Sequence, residues 1–314
     1  METTQTIEEA RFAATKPPSE NEHNCCYKRE NDNYIMMHQQ ETQDETRMLN
    51  FEKEVGFIWD IDGVVVDSPH EQAWRTTAKK PQWGIPDLSS EFYLTHVASR
   101  PRYEGANNIL EKKAVYERLG LKTMAEKRDA LNRFCAQKNM LIRKLILERR
   151  FNVFYSSIAF ILETKGRGLK QAAASASKNA KDMLILTDLT QIVKSLGQQY
   201  DFIKDGDTLY SVFDVDACGL DLKGGKLEIF QVASQGLREK SDCEIKHFVV
   251  FEDAPAGIKV AKTAGMFGVG ILRIGTAKKL WDAGANIVVN DLSELSYRRL
   301  KQKFLESQLV WKAR

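Results

Sequence analysis

Four short apolar runs, separated by segments of helical spacing, constrain this chain more than any other feature. Val55-Gly-Phe-Ile-Trp59 stops at Asp60, and Phe248-Val-Val-Phe251 stops at Glu252-Asp253. Phe267-Gly-Val-Gly-Ile-Leu272 follows a helical stretch from Ala256 to Ala264 closed by Gly265, and Ile287-Val-Val289 precedes Asn290-Asp291. Apolar runs without polar alternation read as strands buried on both faces. Strands that alternate with helices imply an α/β fold, a parallel sheet covered by helices on both sides in three layers.

Between the first run and the next candidate strand, near Ala172 to Ser175, lie about a hundred residues that read almost entirely as helix. Leu131 to Arg150 places Leu131, Phe134, Leu141 and Leu145 on one side, with Arg and Lys opposite. The basic runs Ile142-Arg143-Lys144 and Glu148-Arg149-Arg150 read as a solvated face. This organisation predicts an α/β core over 51–67 and 157–292, a helical cap over 68–156 and a C-terminal helix over 293–314. Residues 1–50, rich in Glu, Thr, Asn and Gln without an apolar period, read as a disordered tail.

Composition narrows the function classes. A formal charge of +3, from 46 basic and 43 acidic residues, offers no strong field for nucleic acid or an anionic membrane. Cys25, Cys26, Cys135, Cys218 and Cys243 show no CxxC spacing, which fits reduced thiols in a cytoplasmic setting. No apolar run approaches the length of a membrane span.

The chemistry concentrates where the strands stop. Asp60-Ile61-Asp62-Gly63-Val64 closes the first strand, and side chains two apart on extended backbone share a side. One carboxylate can then act as nucleophile and metal ligand while its crowded neighbour carries a proton. A calcium loop is excluded because Val64 stands where an oxygen ligand is required. Glu252-Asp253 follows a second strand, and loops at the carboxyl ends of parallel strands converge on one crevice. A carboxylate from each of two strand ends suits octahedral magnesium, although the same acids could cap a helix that begins with Pro255. Ser175-Ala176-Ser177-Lys178-Asn179 is a hydroxyl-rich turn suited to phosphate. Lys226, in Lys223-Gly-Gly-Lys226, would supply a cation beside the acids.

These four elements, in this order, resemble the haloacid dehalogenase superfamily over residues 55 to 292, and within it the branch of phosphosugar mutases and sugar-phosphate phosphatases. The resemblance implies a Rossmann-like core with an inserted helical cap, an Mg2+ cofactor and a small phosphate ester as ligand, with no nucleic acid or membrane partner. It implies Asp60 as nucleophile, Asp62 as acid/base whose carbonyl also binds metal, Ser175 and Ala176 as phosphate binders, and Asp253 as metal ligand with Glu252 beside it. Lys178 and Asn179 belong to the same phosphate turn. Asp67-Ser-Pro-His70 and Ser99-Arg100-Pro-Arg102 resemble the cap segments that meet the sugar phosphate, so His70 and Arg102, the latter ahead of Arg100, are candidate substrate ligands. The family's lysine is followed by a Pro-containing segment at a fixed distance from the next helix. Here Gly224 falls at the position that this distance picks out, which leaves Lys226 as the choice with Lys223 behind it. A phosphatase is the leading expectation; a mutase of the beta-phosphoglucomutase type and a non-catalytic phosphate-ligand binder are the alternatives.

Overall fold

A computed structural model describes residues 49–98, 100–220, 222, 224–273 and 275–312. The tail read at 1–50 falls, but for its last two residues, outside the described residues, and so does Lys223. In chain order the elements are α1 (Phe51–Glu54), β1 (Val55–Trp59), β2 (Val66–Asp67), α2 (His70–Ala78), α3 (Ser90–His96), α4 (Arg102–Lys112), α5 (Val115–Arg118), α6 (Met124–Leu147), β3 (Asn152–Val153), α7 (Tyr155–Gly166), β4 (Lys170–Ser175), α8 (Ala180–Leu186) and α9 (Leu189–Leu196). They continue with β5 (Val215–Cys218), α10 (Lys226–Glu239), β6 (His247–Glu252), α11 (Pro255–Thr263), β7 (Phe267–Ile271), α12 (Ala277–Ala283), β8 (Ile287–Val289) and α13 (Tyr297–Lys312).

Six strands form one parallel sheet in the order β5-β4-β1-β6-β7-β8, the α/β architecture that the alternating pattern predicts. β1 lies at its centre, and all five of its residues are buried. Its register pairs Trp59 with Phe251 on β6 and with Ala173 on β4; β6 runs one residue further and β4 two, so the residues that follow the three strands lie along one edge. β5 was not anticipated from sequence. It is four residues long with alternating burial, too short and too polar to stand out beside the continuous apolar runs.

Aromatic packing fixes β1 against β6. The Trp59 indole stacks on Phe251 with centroids 3.7 Å apart and planes 4° from parallel. Its Nε1 donates to Gln171 Oε1 at 2.8 Å, which satisfies the one polar atom of a fully buried ring.

Residues 70–147 hold a separate apolar cluster in which Trp74, Trp83, Ile109, Leu110 and Phe134 are buried. Two chain crossings join this helical block to the sheet, and they pair as the antiparallel ribbon β2-β3. In α6 the packed face is rotated from the expected one. Ile142 is buried and Leu141 is only partly covered, while Arg143 and Lys144 are exposed. Thr123 begins this helix with a reciprocal capping box to Glu126.

Candidate active site

Asp60 follows β1, and its backbone N–H donates to the Phe251 carbonyl at 3.0 Å, which draws the acid in beside the end of β6. Asp60, Glu252 and Asp253 thereby bring carboxylate oxygens within 4.8 Å of one another. Gly63 permits the close approach. Its φ is +85°, and a Cβ built there would lie 2.2 Å from Asp253 Oδ2.

Lys226, the first residue of α10, enters this cluster from the side. Its Nζ is 2.9 Å from Asp60 Oδ1 and 2.7 Å from Glu252 Oε2. Burial alone would lower the lysine pKa, but the charges of Asp60 and Glu252 overcome it and hold the ammonium firmly protonated. Burial, then the charge of Glu252, pushes Asp60 well above the usual carboxylate range against the pull of Lys226. Burial and the charge of Asp60 lift Asp253 to about 7. One ammonium cannot balance this many buried acids.

Asp62 shares the edge. Its Oδ2 accepts the Ser175 hydroxyl at 3.2 Å, while its buried Oδ1 has no hydrogen-bond partner. Asp60, Glu252 and Asp253 form an oxygen donor set crowded enough to raise its own pKa values, and donors of this kind suit a hard divalent cation. Glu252 lies within the same cluster, but it is already engaged by Lys226 and by the Ala254 N–H at 3.1 Å. The helix-capping reading of Glu252-Asp253 is a miss in its detail. Ala254 is the N-cap of α11 and makes no side-chain cap bond, with Pro255 as the first helical residue.

The Ser175–Asn179 turn leaves β4 directly opposite. Ser177 N–H donates to Ser175 Oγ at 3.1 Å, and Asn179 N–H donates to Ser177 Oγ at 3.3 Å, which shapes the turn from its own hydroxyls. Ala176 and Lys178 are exposed on it. Asn179 is buried, and its amide Nδ2 has no partner.

From the helical block, His70 at the start of α2 reaches Ser177 Oγ at 3.2 Å and Asp62 Oδ1 at 3.7 Å. Arg102 begins α4, half-buried, and its charge bears on both His70 and Lys138; Arg100 instead pairs with Glu104 on the exposed side. Sequence reasoning missed Lys138. It is buried in α6, 2.6 Å from His70 Nδ1 and 4.9 Å from the Trp74 ring centroid. Burial, then the charge of Arg102, lowers its pKa to about 7. The signal was available: Phe134, Lys138 and Ile142 are spaced four apart, so the lysine had to share the face of two core residues. Among the described residues no helix is long and apolar enough to cross a membrane.

No family model matches the chain. The chain is similar to a solved archaeal beta-phosphoglucomutase from Pyrococcus sp. strain ST 04, at 33% identity and TM-score 0.64, covering 80% of this chain and 98% of that one. It is 27% identical over 267 residues to the beta-phosphoglucomutase of Mycobacterium bovis, covering 80% of this chain and 95% of the relative. Over 83 residues, 25% of this chain and 34% of the relative, it is 42% identical to 2-deoxyglucose-6-phosphate phosphatase 2 of Saccharomyces cerevisiae. A haloacid dehalogenase-like protein of Streptococcus pneumoniae shares the fold at 14% identity. With that coverage, and with the acids, lysine and hydroxyl turn gathered at one sheet edge, the chain belongs to the haloacid dehalogenase superfamily, as a beta-phosphoglucomutase-like phosphoryl-transfer enzyme.

Proposed function

We propose that this protein is a magnesium-dependent phosphatase that hydrolyses a small sugar phosphate through an aspartyl-phosphate on Asp60. The observation that carries the reading is the seat of Lys226, whose ammonium lies against both Asp60 and Glu252 and so lowers the cost of ionising a buried nucleophile among other acids. Held by Asp60, Asp253 and the Asp62 carbonyl, with Glu252 beside them, magnesium would offset the charge between the nucleophile and the phosphoryl oxygens.

Asp60 attacks phosphorus, and the bond to the leaving oxygen breaks as Asp62 gives that oxygen a proton. Asp62, now a carboxylate, takes a proton from water. The water oxygen attacks phosphorus, which frees Asp60 and inorganic phosphate. Ser175, the Ala176 N–H, Lys178 and the Asn179 amide hold the phosphoryl oxygens, and His70 and Arg102 grip the remainder of the ester. Lys138 donates to His70 Nδ1, which sets the tautomer with Nε2–H turned toward Ser177 and Asp62. The Asp62 side chain keeps 23% of its exposure, which supports water as the acceptor in this reading. Free Cys135, Cys218 and Cys243 support a cytoplasmic setting.

A second reading, a mutase in which a sugar hydroxyl receives the phosphoryl group, is favoured by the near full-length match to proteins named beta-phosphoglucomutase and by the additional buried amine of Lys138 beside His70. The test is to supply beta-glucose 1-phosphate with magnesium. Phosphate release supports the phosphatase, and glucose 6-phosphate without phosphate release establishes the mutase. If no phosphate ester turns over and Asp60→Asn changes nothing, the protein is a binder.

A further inference from the structure

We propose that Arg273, in the loop after β7, is a positioning residue that locks the two chain crossings between sheet and helical block and thereby sets where Asp62 stands. The proposal rests on the phosphoryl-transfer reading for its kinetic consequence, not for its structural one.

Three contacts from one side chain carry it. Arg273 Nε donates to the Gly63 carbonyl at 2.8 Å, on the outgoing crossing one residue after Asp62. Its guanidinium carbon sits 3.6 Å from the ring centroid of Phe154, on the returning crossing. Its Nη1 donates to Asp291 Oδ2 at 3.2 Å, and the same oxygen accepts the Ser156 hydroxyl at 2.7 Å, again on the returning crossing. Asp291 is held in turn by the Ser293 N–H at 3.0 Å. A planar, permanently charged fork can hydrogen-bond on two edges while its face lies on an aromatic ring; an ammonium cannot do all three.

The two crossings are also laced to each other. Phe154 N–H donates to the Val65 carbonyl at 3.0 Å, Ser157 Oγ to the Val64 carbonyl at 2.5 Å, and Val66 pairs with Val153. Arg273 ties this ribbon back to the loops of β7 and β8 on the sheet, alongside the Ser156 hydroxyl on Asp291. Gly63 is the critical joint, since it is clamped at its carbonyl by Arg273 and has no room on its α-carbon before Asp253. A shift of Gly63 moves Asp62, and a displacement of about 1 Å in a reacting group is enough to cost on the order of a hundredfold in rate.

The test uses the full chain with magnesium, p-nitrophenyl phosphate as the probe ester, and amide hydrogen exchange read by peptide. Arg273→Gln is expected to lower kcat about tenfold or more with KM within about twofold, because the substrate's own ligands are untouched. Exchange should rise in 61–67 and 152–157 and stay unchanged in β4. Arg273→Lys should recover part of the protection in 61–67. Phe154→Leu, which spares both hydrogen bonds, should loosen 152–157 alone, and it serves if Arg273→Gln does not fold. Unchanged exchange in both crossings, or a uniform rise across the sheet with kcat retained, overturns the proposal. If wild type hydrolyses nothing while the exchange pattern appears, the phosphoryl-transfer reading fails and the lock stands.

Discussion

Lys138 Nζ lies 2.6 Å from His70 Nδ1, with the Trp74 ring centroid 4.9 Å away. Its pKa falls from 10.5 to about 7 because burial, then the charge of Arg102, disfavours the ammonium. Between these two values the unfolded chain binds a proton that the folded chain does not, so this group makes stability rise with pH from about 7 toward 10. Lys138→Met should remove that slope and leave the protein more stable than wild type at pH 7, as read by urea unfolding at both ends of the window. A variant that keeps the wild-type slope would show that Lys138 stays charged when folded.

Asp253 provides the opposite sign. Its carboxyl is raised to about 7 by burial and by Asp60, so the folded state holds a proton that the unfolded chain releases from about pH 4 upward. Metal-free protein should therefore lose stability as pH rises through that window. Magnesium binding demands the deprotonated acids, so its stabilisation should grow from about pH 5 to about pH 7.5. Thermal melts with EDTA and with excess magnesium at several pH values measure this. A magnesium increment independent of pH would mean that Asp253 is not a ligand.

Removing either partner of the Asp60–Lys226 pair should have opposite effects on stability. Lys226→Gln strands buried acids without a counter-charge and should cost about 3–5 kcal/mol at neutral pH, with recovery as the acids protonate. Asp60→Asn removes one charge from a site that already penalises it, so the metal-free protein should be at least as stable as wild type. The same substitution deletes the nucleophile, and turnover should fall by about 10³-fold or more. Denaturant melts with EDTA, beside assays with magnesium, give both readings. An Asp60→Asn protein that retains activity removes Asp60 from the chemistry.

Asp60, Asp62, Ser175 and Asp253 were legible because strand periodicity and acid placement are local: each acid or hydroxyl directly follows an apolar run, and parallel strands end at one edge. Lys226 was legible only through resemblance, since a lysine opening a helix is ordinary in isolation. Arg273 lay beyond reach for a physical reason. Its partners Gly63, Phe154 and Asp291 are spread over more than two hundred residues, and no spacing rule joins them. Lys138 was hidden differently, because the face of α6 was read one residue out of register, with Leu141 in the core in place of Ile142.

The stack of Trp59 on Phe251 separates the foundation of the site from its chemistry. Both rings are fully buried directly beneath the strand ends that carry Asp60 and Glu252, and Trp59 Nε1 donates to Gln171 Oε1. Gln171 Nε2 in turn donates to the Ile161 carbonyl, so the amide links β1 to α7 through β4. Trp59→Phe keeps an aromatic face against Phe251 but leaves Gln171 Oε1 buried without a donor and opens a void where the second ring stood. The expected cost is about 2–4 kcal/mol, the sum of an unmet acceptor and a partial cavity. Adding Gln171→Leu to Trp59→Phe should recover part of that loss by removing the unpaired acceptor, a coupling that a double-mutant cycle in urea measures. Because Asp60 is also fixed by its own N–H to the Phe251 carbonyl at 3.0 Å, the folded fraction of either variant should keep the wild-type KM. Strict additivity of the two substitutions would show that the Trp59–Gln171 bond contributes nothing, and that shape alone holds the floor of the site.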